Sequence, residues 1–146
     1  MALSRDAYNP AMMDRATVEK TLRAFFARED HGVVAAYLFG SIARGTPRPG
    51  SDVDIAALYG GEPSTSLAGL PLDLETELER VLGAPVQVVV LNRAPVDLIH
   101  RVLRDGVLLV DRDRAARIRF EVKARNEFFD LQPILARYRA GPVPRR

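Results

Sequence analysis

The stretch LFGSIARGTPRPGSDVDIAAL, residues 38–58, constrains the fold of this chain more than any other. An apolar run ends at Gly40-Ser41, a basic polar loop of ten residues follows, and a second apolar run opens with Asp52-Val53-Asp54. Short apolar runs bounded by turn residues read as buried strands. Residues i and i+2 of a strand point the same way, so Asp52 and Asp54 are expected to share one face. Adjacent carboxylates repel unless a cation lies between them. Hard ions such as Mg²⁺ are commonly held by one or two carboxylates together with substrate phosphates, which makes the pair read as half of a metal-nucleotide site.

The Gly-Ser turn supplies the other half. A helix starting at Gly40-Ser41 presents unpaired amide N–H groups and its positive dipole end, an arrangement that binds phosphate. Gly40 lets the backbone come close, the Ser41 hydroxyl can donate to a phosphate oxygen, and the Arg44 guanidinium suits a phosphate. The spacing fits neither a Walker A loop nor a dinucleotide fingerprint. A surface loop in which Gly50, Ser51 and Asp52 serve only as turn formers is the plainer reading. Asp54 weighs against it, since a charge inside VDIAAL interrupts a buried strand for no structural gain.

Gly40-Ser41, the ten-residue gap and the Asp52-Val53-Asp54 triplet resemble the signature of the DNA polymerase beta superfamily of nucleotidyltransferases. Size and layout, over about residues 16 to 111, are similar to its minimal one-domain members, the MNT antitoxins paired with HEPN toxins. The tail from Arg125 to Leu131 also looks like theirs. The resemblance implies a nucleotidyltransferase fold and ATP as substrate with Mg²⁺ at Asp52 and Asp54. Gly40, Ser41 and Arg44 would bind the nucleotide, and AMP would pass to a tyrosine hydroxyl of a HEPN toxin. Relatives of this kind usually carry a third carboxylate near the start of a run like Val86–Leu91, where this chain has Gln87. A neutral amide cannot act as a general base. The resemblance therefore implies either an adenylyltransferase working with two carboxylates or a nucleotide-binding module that neutralises its toxin by complex formation alone. An aminoglycoside-type transferase would need a second, substrate-binding domain.

The remaining pattern predicts a small mixed sheet with helices packed on it, an α/β (α+β) arrangement, in a single domain spanning 1–146 with 112–140 as a C-terminal helical extension. Helices are expected over about 15–28, over a second segment carrying Leu70, Leu74, Leu78, Val81 and Leu82 with its acidic residues facing water, and from Pro95 to Gly106. A long helix is expected from Arg112 onward, kinked or interrupted at Pro133. Strands are expected at Val33–Phe39, up to Tyr59, Pro85–Leu91 and, at an edge, Val107–Val110. Tyr37 reads as a core residue with its hydroxyl satisfied. His31 and His100 lack a zinc-site partner and read as surface or helix-end residues. Phe128 and Phe129 are adjacent and cannot share one narrow stripe, so one is expected on a contact surface.

Charge is uneven. Residues 112–146 hold ten Arg and Lys against four Asp and Glu, a net of +6, which leaves −4 for residues 1–111 within the total of +2. The basic tail suits an acidic partner surface or nucleic acid, and equally a solvated helix face that keeps the protein soluble. Nucleic acid is not the expected partner, and the sequence leaves a homo- or hetero-oligomer open. No run approaches a membrane span, the N-terminus shows no signal-peptide pattern, and the chain has no cysteine. A cytoplasmic location is the expectation.

Overall fold

A computed structural model describes residues 14–29, 31–47, 50–61 and 72–141. Helix α1 (Arg15–Arg28) leads into β1 (Val33–Phe39), the one-turn helix α2 (Gly40–Ala43) and β2 (Val53–Tyr59). Helix α3 (Leu72–Leu82), β3 (Val86–Val90) and a 3₁₀ turn at Leu91–Arg93 follow, then α4 (Val96–Asp105), β4 (Val107–Asp111) and the long α5 (Arg114–Arg139). The four strands form one mixed sheet in the order β3-β2-β1-β4. Strand β1 pairs antiparallel with β2 and β4, and β2 pairs parallel with β3. The expected α+β sheet with packed helices and a long C-terminal helix is the observed fold.

Each strand's alternation feeds two cores. Val53, Ile55 and Ala57 of β2 face one layer with Val18, Leu22 and Phe26 of α1 and Leu74 and Leu78 of α3. Ala56 and Leu58 face the other, with Ile99 and Val102 of α4 and Ala124 of α5. Asp54 keeps step with Ala56 and Leu58, so the sheet's period of two assigns it to the α4–α5 face. Phe26 is fully buried, and truncating such a side chain costs about 3–5 kcal/mol.

Local chemistry sets the helix ends. Asp14 caps α1 by accepting from the Thr17 N–H at 2.7 Å, and Asp113 caps α5 through Ala116 N–H at 3.0 Å; each such cap is worth about 1 kcal/mol. Gly83, at φ +67°, ends α3 in the left-handed conformation that glycine tolerates.

The structure corrects several expectations. Glu75 and Glu79 of α3 do not simply face water: they accept from the Val88 N–H at 2.9 Å and the Val86 N–H at 3.1 Å. These amides point away from β2, so the two glutamates, one helical turn apart, cover the free edge of β3. Val81 is exposed because it lies off the Leu74, Leu78, Leu82 stripe, while Leu70 lies outside the described residues. Pro95 is the cap preceding α4 rather than a residue of its first turn. Helix α5 runs through Pro133 without interruption; that stretch is mostly exposed, so the displaced backbone groups can turn to water.

His100 is neither a surface nor a helix-end residue. It lies mid-way along α4 and stacks on Phe128 with ring centroids 3.6 Å apart, pinning α5 to α4. Phe129 is left 63% exposed, as two adjacent rings on one helix require. His31, in the turn after α1, meets Glu77 at 2.9 Å. Tyr37 is buried and its hydroxyl donates to Glu121 at 2.6 Å. Burial first, and Glu121 second, hold that phenol well above its ordinary range. No helix among the described residues is long and apolar enough to cross a membrane.

Candidate functional site

The end of β1 and the start of β2 lie side by side, with Phe39 paired to Asp54. Because the chain must leave β1 and turn at once into α2, Gly40 takes φ +78°. A side chain at Gly40 would run into the Asp54 carboxylate, since a Cβ there would stand 3.1 Å from Asp54 Cγ. The glycine is thus what allows the first turn of α2 to approach Asp54 so closely. The far end of α2 is fixed from behind: Ile42 and Ala43 are buried, and Arg15 of α1 donates to the Ala43 carbonyl at 3.2 Å.

This geometry opens a cleft of about 400 Å³ lined by Gly40, Ser41 and Arg44 on one side, Ser51, Asp52 and Asp54 beneath, and Leu98, Arg101, Arg104 and Asp105 of α4 opposite. All five residues singled out in the sequence, Gly40, Ser41, Arg44, Asp52 and Asp54, line this one cleft. Asp52 lies just before β2 and is exposed, and Asp54 is half-buried inside it. Burial pushes the Asp54 carboxyl above the usual carboxylate range, the Asp52 charge pushes it the same way, and Arg44 pulls it back. A cation placed against the pair would relieve both upward pressures. Two carboxylates are a fitting donor set for Mg²⁺ only when substrate oxygens complete the shell, and the described residues contain no cluster of three or more metal-ligating groups.

Gln87 pairs in parallel register with Asp54, so the two side chains leave the same face of the sheet, and Gln87 is exposed there. The wall from α4 was not legible as part of the site. In the sequence Arg101, Arg104 and Asp105 are no more than polar residues of an expected helix, and only the crossover after β3 brings the C-terminal end of α4 to the Gly-Ser turn. The one available signal was their one-sided spacing opposite Ile99 and Val102.

Comparisons with known proteins agree with this architecture. Residues 20–115 match the family model for polymerase beta nucleotidyltransferases. A Methanocaldococcus jannaschii protein described as a "putative protein adenylyltransferase" is 41% identical over 78 residues, which cover 53% of this chain and 75% of that protein. A solved minimal nucleotidyltransferase, itself described as putative, is 31% identical with a TM-score of 0.52, covering 66% of this chain and 97% of its own. At 24% identity, a toxin-antitoxin crystal structure with AMP-PNP superposes with a TM-score of 0.63 over 81% of this chain and 95% of that one. The Shewanella oneidensis complex of a tri-AMPylated HEPN toxin with its MNT antitoxin gives 0.59 at 21% identity, over 84% and 96% of the two chains. These last two establish a shared fold. With the family model spanning most of its length, this chain belongs to the polymerase beta nucleotidyltransferase family.

Proposed function

We propose that this chain binds ATP with Mg²⁺ in the cleft and transfers AMP to a tyrosine hydroxyl of a HEPN-type toxin, acting as the toxin's antitoxin. The observation that carries the reading is the convergence of two carboxylates, a helix-starting Gly-Ser turn and Arg44 on one cleft. The adenylyltransferase description of the archaeal relative and the AMPylated toxin bound to a protein of the same fold support the choice of acceptor.

Asp52 and Asp54 would hold Mg²⁺, which when bound neutralises charge developing on the phosphates. The chain's own groups do the positioning. The Ser41 hydroxyl and the free amides at the start of α2 would cradle the outer phosphates, and Arg44 would hold them with its planar fork. The acceptor oxygen bonds to the α-phosphorus as the bond from that phosphorus to the α,β-bridging oxygen breaks, and pyrophosphate leaves. Gln87 cannot take the hydroxyl proton, so it passes to solvent.

Gln87 also motivates a second reading. A neutral amide on the face of Asp54 fits a nucleotide-binding module that silences its toxin by binding alone. Incubating the protein with ATP, Mg²⁺ and the toxin encoded beside it, and weighing the toxin by mass spectrometry, separates the two. Addition of AMP supports the enzyme. Neutralisation without added mass, in the parent and in Gln87→Asp alike, supports the module.

A further inference from the structure

The α4 wall carries chemistry that the Gly-Ser turn and the aspartates leave unused. Leu98, Arg101 and Asp105 recur at helical spacing on the cleft side of α4, with Arg104 beside them. Arg104 presents its guanidinium fork to Asp105, with Nε 3.0 Å from Oδ1 and a terminal nitrogen 2.8 Å from Oδ2.

This pair does little for the fold. It joins neighbouring residues, so it ties no two elements together, and the Arg104 side chain is 58% exposed, where an ion pair adds little stability. The end of α4 is instead set by Gly106, whose N–H reaches the Val102 carbonyl at 2.7 Å. What the pair does is occupy, with a carboxylate, the same two donors that would grip a phosphate. The hydrogen bond from Arg104 lowers the Asp105 carboxyl, and Arg44, which lines the same cleft, adds to that pull, so the carboxylate sits among cleft cations that a phosphate would also meet.

Resting on the nucleotide reading of the cleft, we propose that Arg104 grips the outer phosphates of the bound nucleotide and that Asp105 is an internal stand-in for those phosphates, holding Arg104 until nucleotide displaces it. Two consequences follow. Arg104 strengthens binding of a triphosphate but not of AMP, which lacks the outer phosphates. Asp105 weakens triphosphate binding, and does so by competing for Arg104.

Calorimetric titration with α,β-methylene-ATP and Mg²⁺, which binds without transferring AMP, tests both. Arg104→Ala should weaken binding about tenfold, in keeping with the loss of a charged hydrogen-bonding partner, and Arg104→Lys should restore only part, because the fork is gone. AMP affinity should stay unchanged in both. Asp105→Asn should tighten binding about threefold in the parent and have no effect in the Arg104→Ala background, the coupling expected of two groups acting as one unit.

If the parent binds the analogue and Arg104→Ala binds it equally well, the role of Arg104 is overturned while the nucleotide cleft stands. If Asp105→Asn tightens binding by the same factor with and without Arg104, Asp105 acts as a plain negative charge and the competition is overturned. If the parent does not bind the analogue at all, the nucleotide reading fails and takes this inference with it.

Discussion

Gly40→Ala is the substitution whose cost the structure fixes most closely. Two penalties add. At φ +78° an L-residue pays about 1–2 kcal/mol for the left-handed conformation. The new methyl would also overlap the Asp54 carboxylate and crowd its Cγ at 3.1 Å and Cβ at 3.2 Å, and displacing that half-buried side chain brings the total to about 2–4 kcal/mol. At this chain length each kcal/mol lowers Tm by about 3–4 °C, so a fall of about 6–16 °C is expected.

Gly45 is the internal control. It has φ +72°, and a Cβ added there would meet nothing within 4 Å, so Gly45→Ala should show the backbone cost alone, a fall of about 3–8 °C. Differential scanning calorimetry of the two variants, and of Gly40→Ala in an Asp54→Ala background, resolves the terms. In that background the excess of Gly40→Ala over Gly45→Ala should shrink, because the carboxylate is gone. Equal melting shifts for Gly40→Ala and Gly45→Ala would refute the close approach of the turn to Asp54 that shapes the cleft.

Ser41→Ala should weaken nucleotide binding by about 1–3 kcal/mol, the worth of one hydrogen bond to a charged oxygen, as read by calorimetry. Because burial and Asp52 raise the Asp54 carboxyl in the folded protein, the fold binds its proton more tightly than the unfolded chain does. Stability should therefore fall as pH rises from the ordinary carboxylate range up through the raised Asp54 titration, while Mg²⁺-nucleotide affinity rises, and Asp54→Asn should abolish Asp54's share of both slopes in denaturation and titration series. Tyr37 is likewise held un-ionised, so stability should drop as pH climbs above the ordinary tyrosine range. Tyr37→Phe should remove that alkaline loss at a cost of about 1 kcal/mol at neutral pH, seen in urea melts. Glu75→Ala with Glu79→Ala should strip the cover from the β3 edge, costing about 1–3 kcal/mol and raising amide exchange at Val86 and Val88.

What the sequence made legible was local. Gly32 and Gly40 bracket a run too short and too apolar for anything but a buried strand, and Asp54 could be singled out because a charge within VDIAAL has no local justification. What stayed hidden depends on which elements meet. That β1 pairs with both β2 and β4 leaves no mark in either partner's composition. The acids of α3 have the same spacing whether they face water or an edge strand, so Glu75 and Glu79 could not be separated from Asp73 before β3 was in place. His100 found its partner, Phe128, only because α5 folds back over α4, a contact 28 residues away in the chain. The arginine wall of α4 was hidden for the same reason, its one-sided spacing along the helix aside.

Every step proposed for the cleft rests on Asp52 and Asp54, with Gly40, Ser41 and Arg44, forming a Mg²⁺-nucleotide site. The decisive measurement is calorimetric titration of ATP into the parent and into Asp52→Ala/Asp54→Ala, each with and without Mg²⁺. Mg²⁺-dependent binding is expected in the parent and its loss in a double variant that still melts cooperatively, because removing two crowded carboxylates opens no core cavity. Binding of ATP by the double variant with the same affinity and the same Mg²⁺ dependence as the parent would overturn the site.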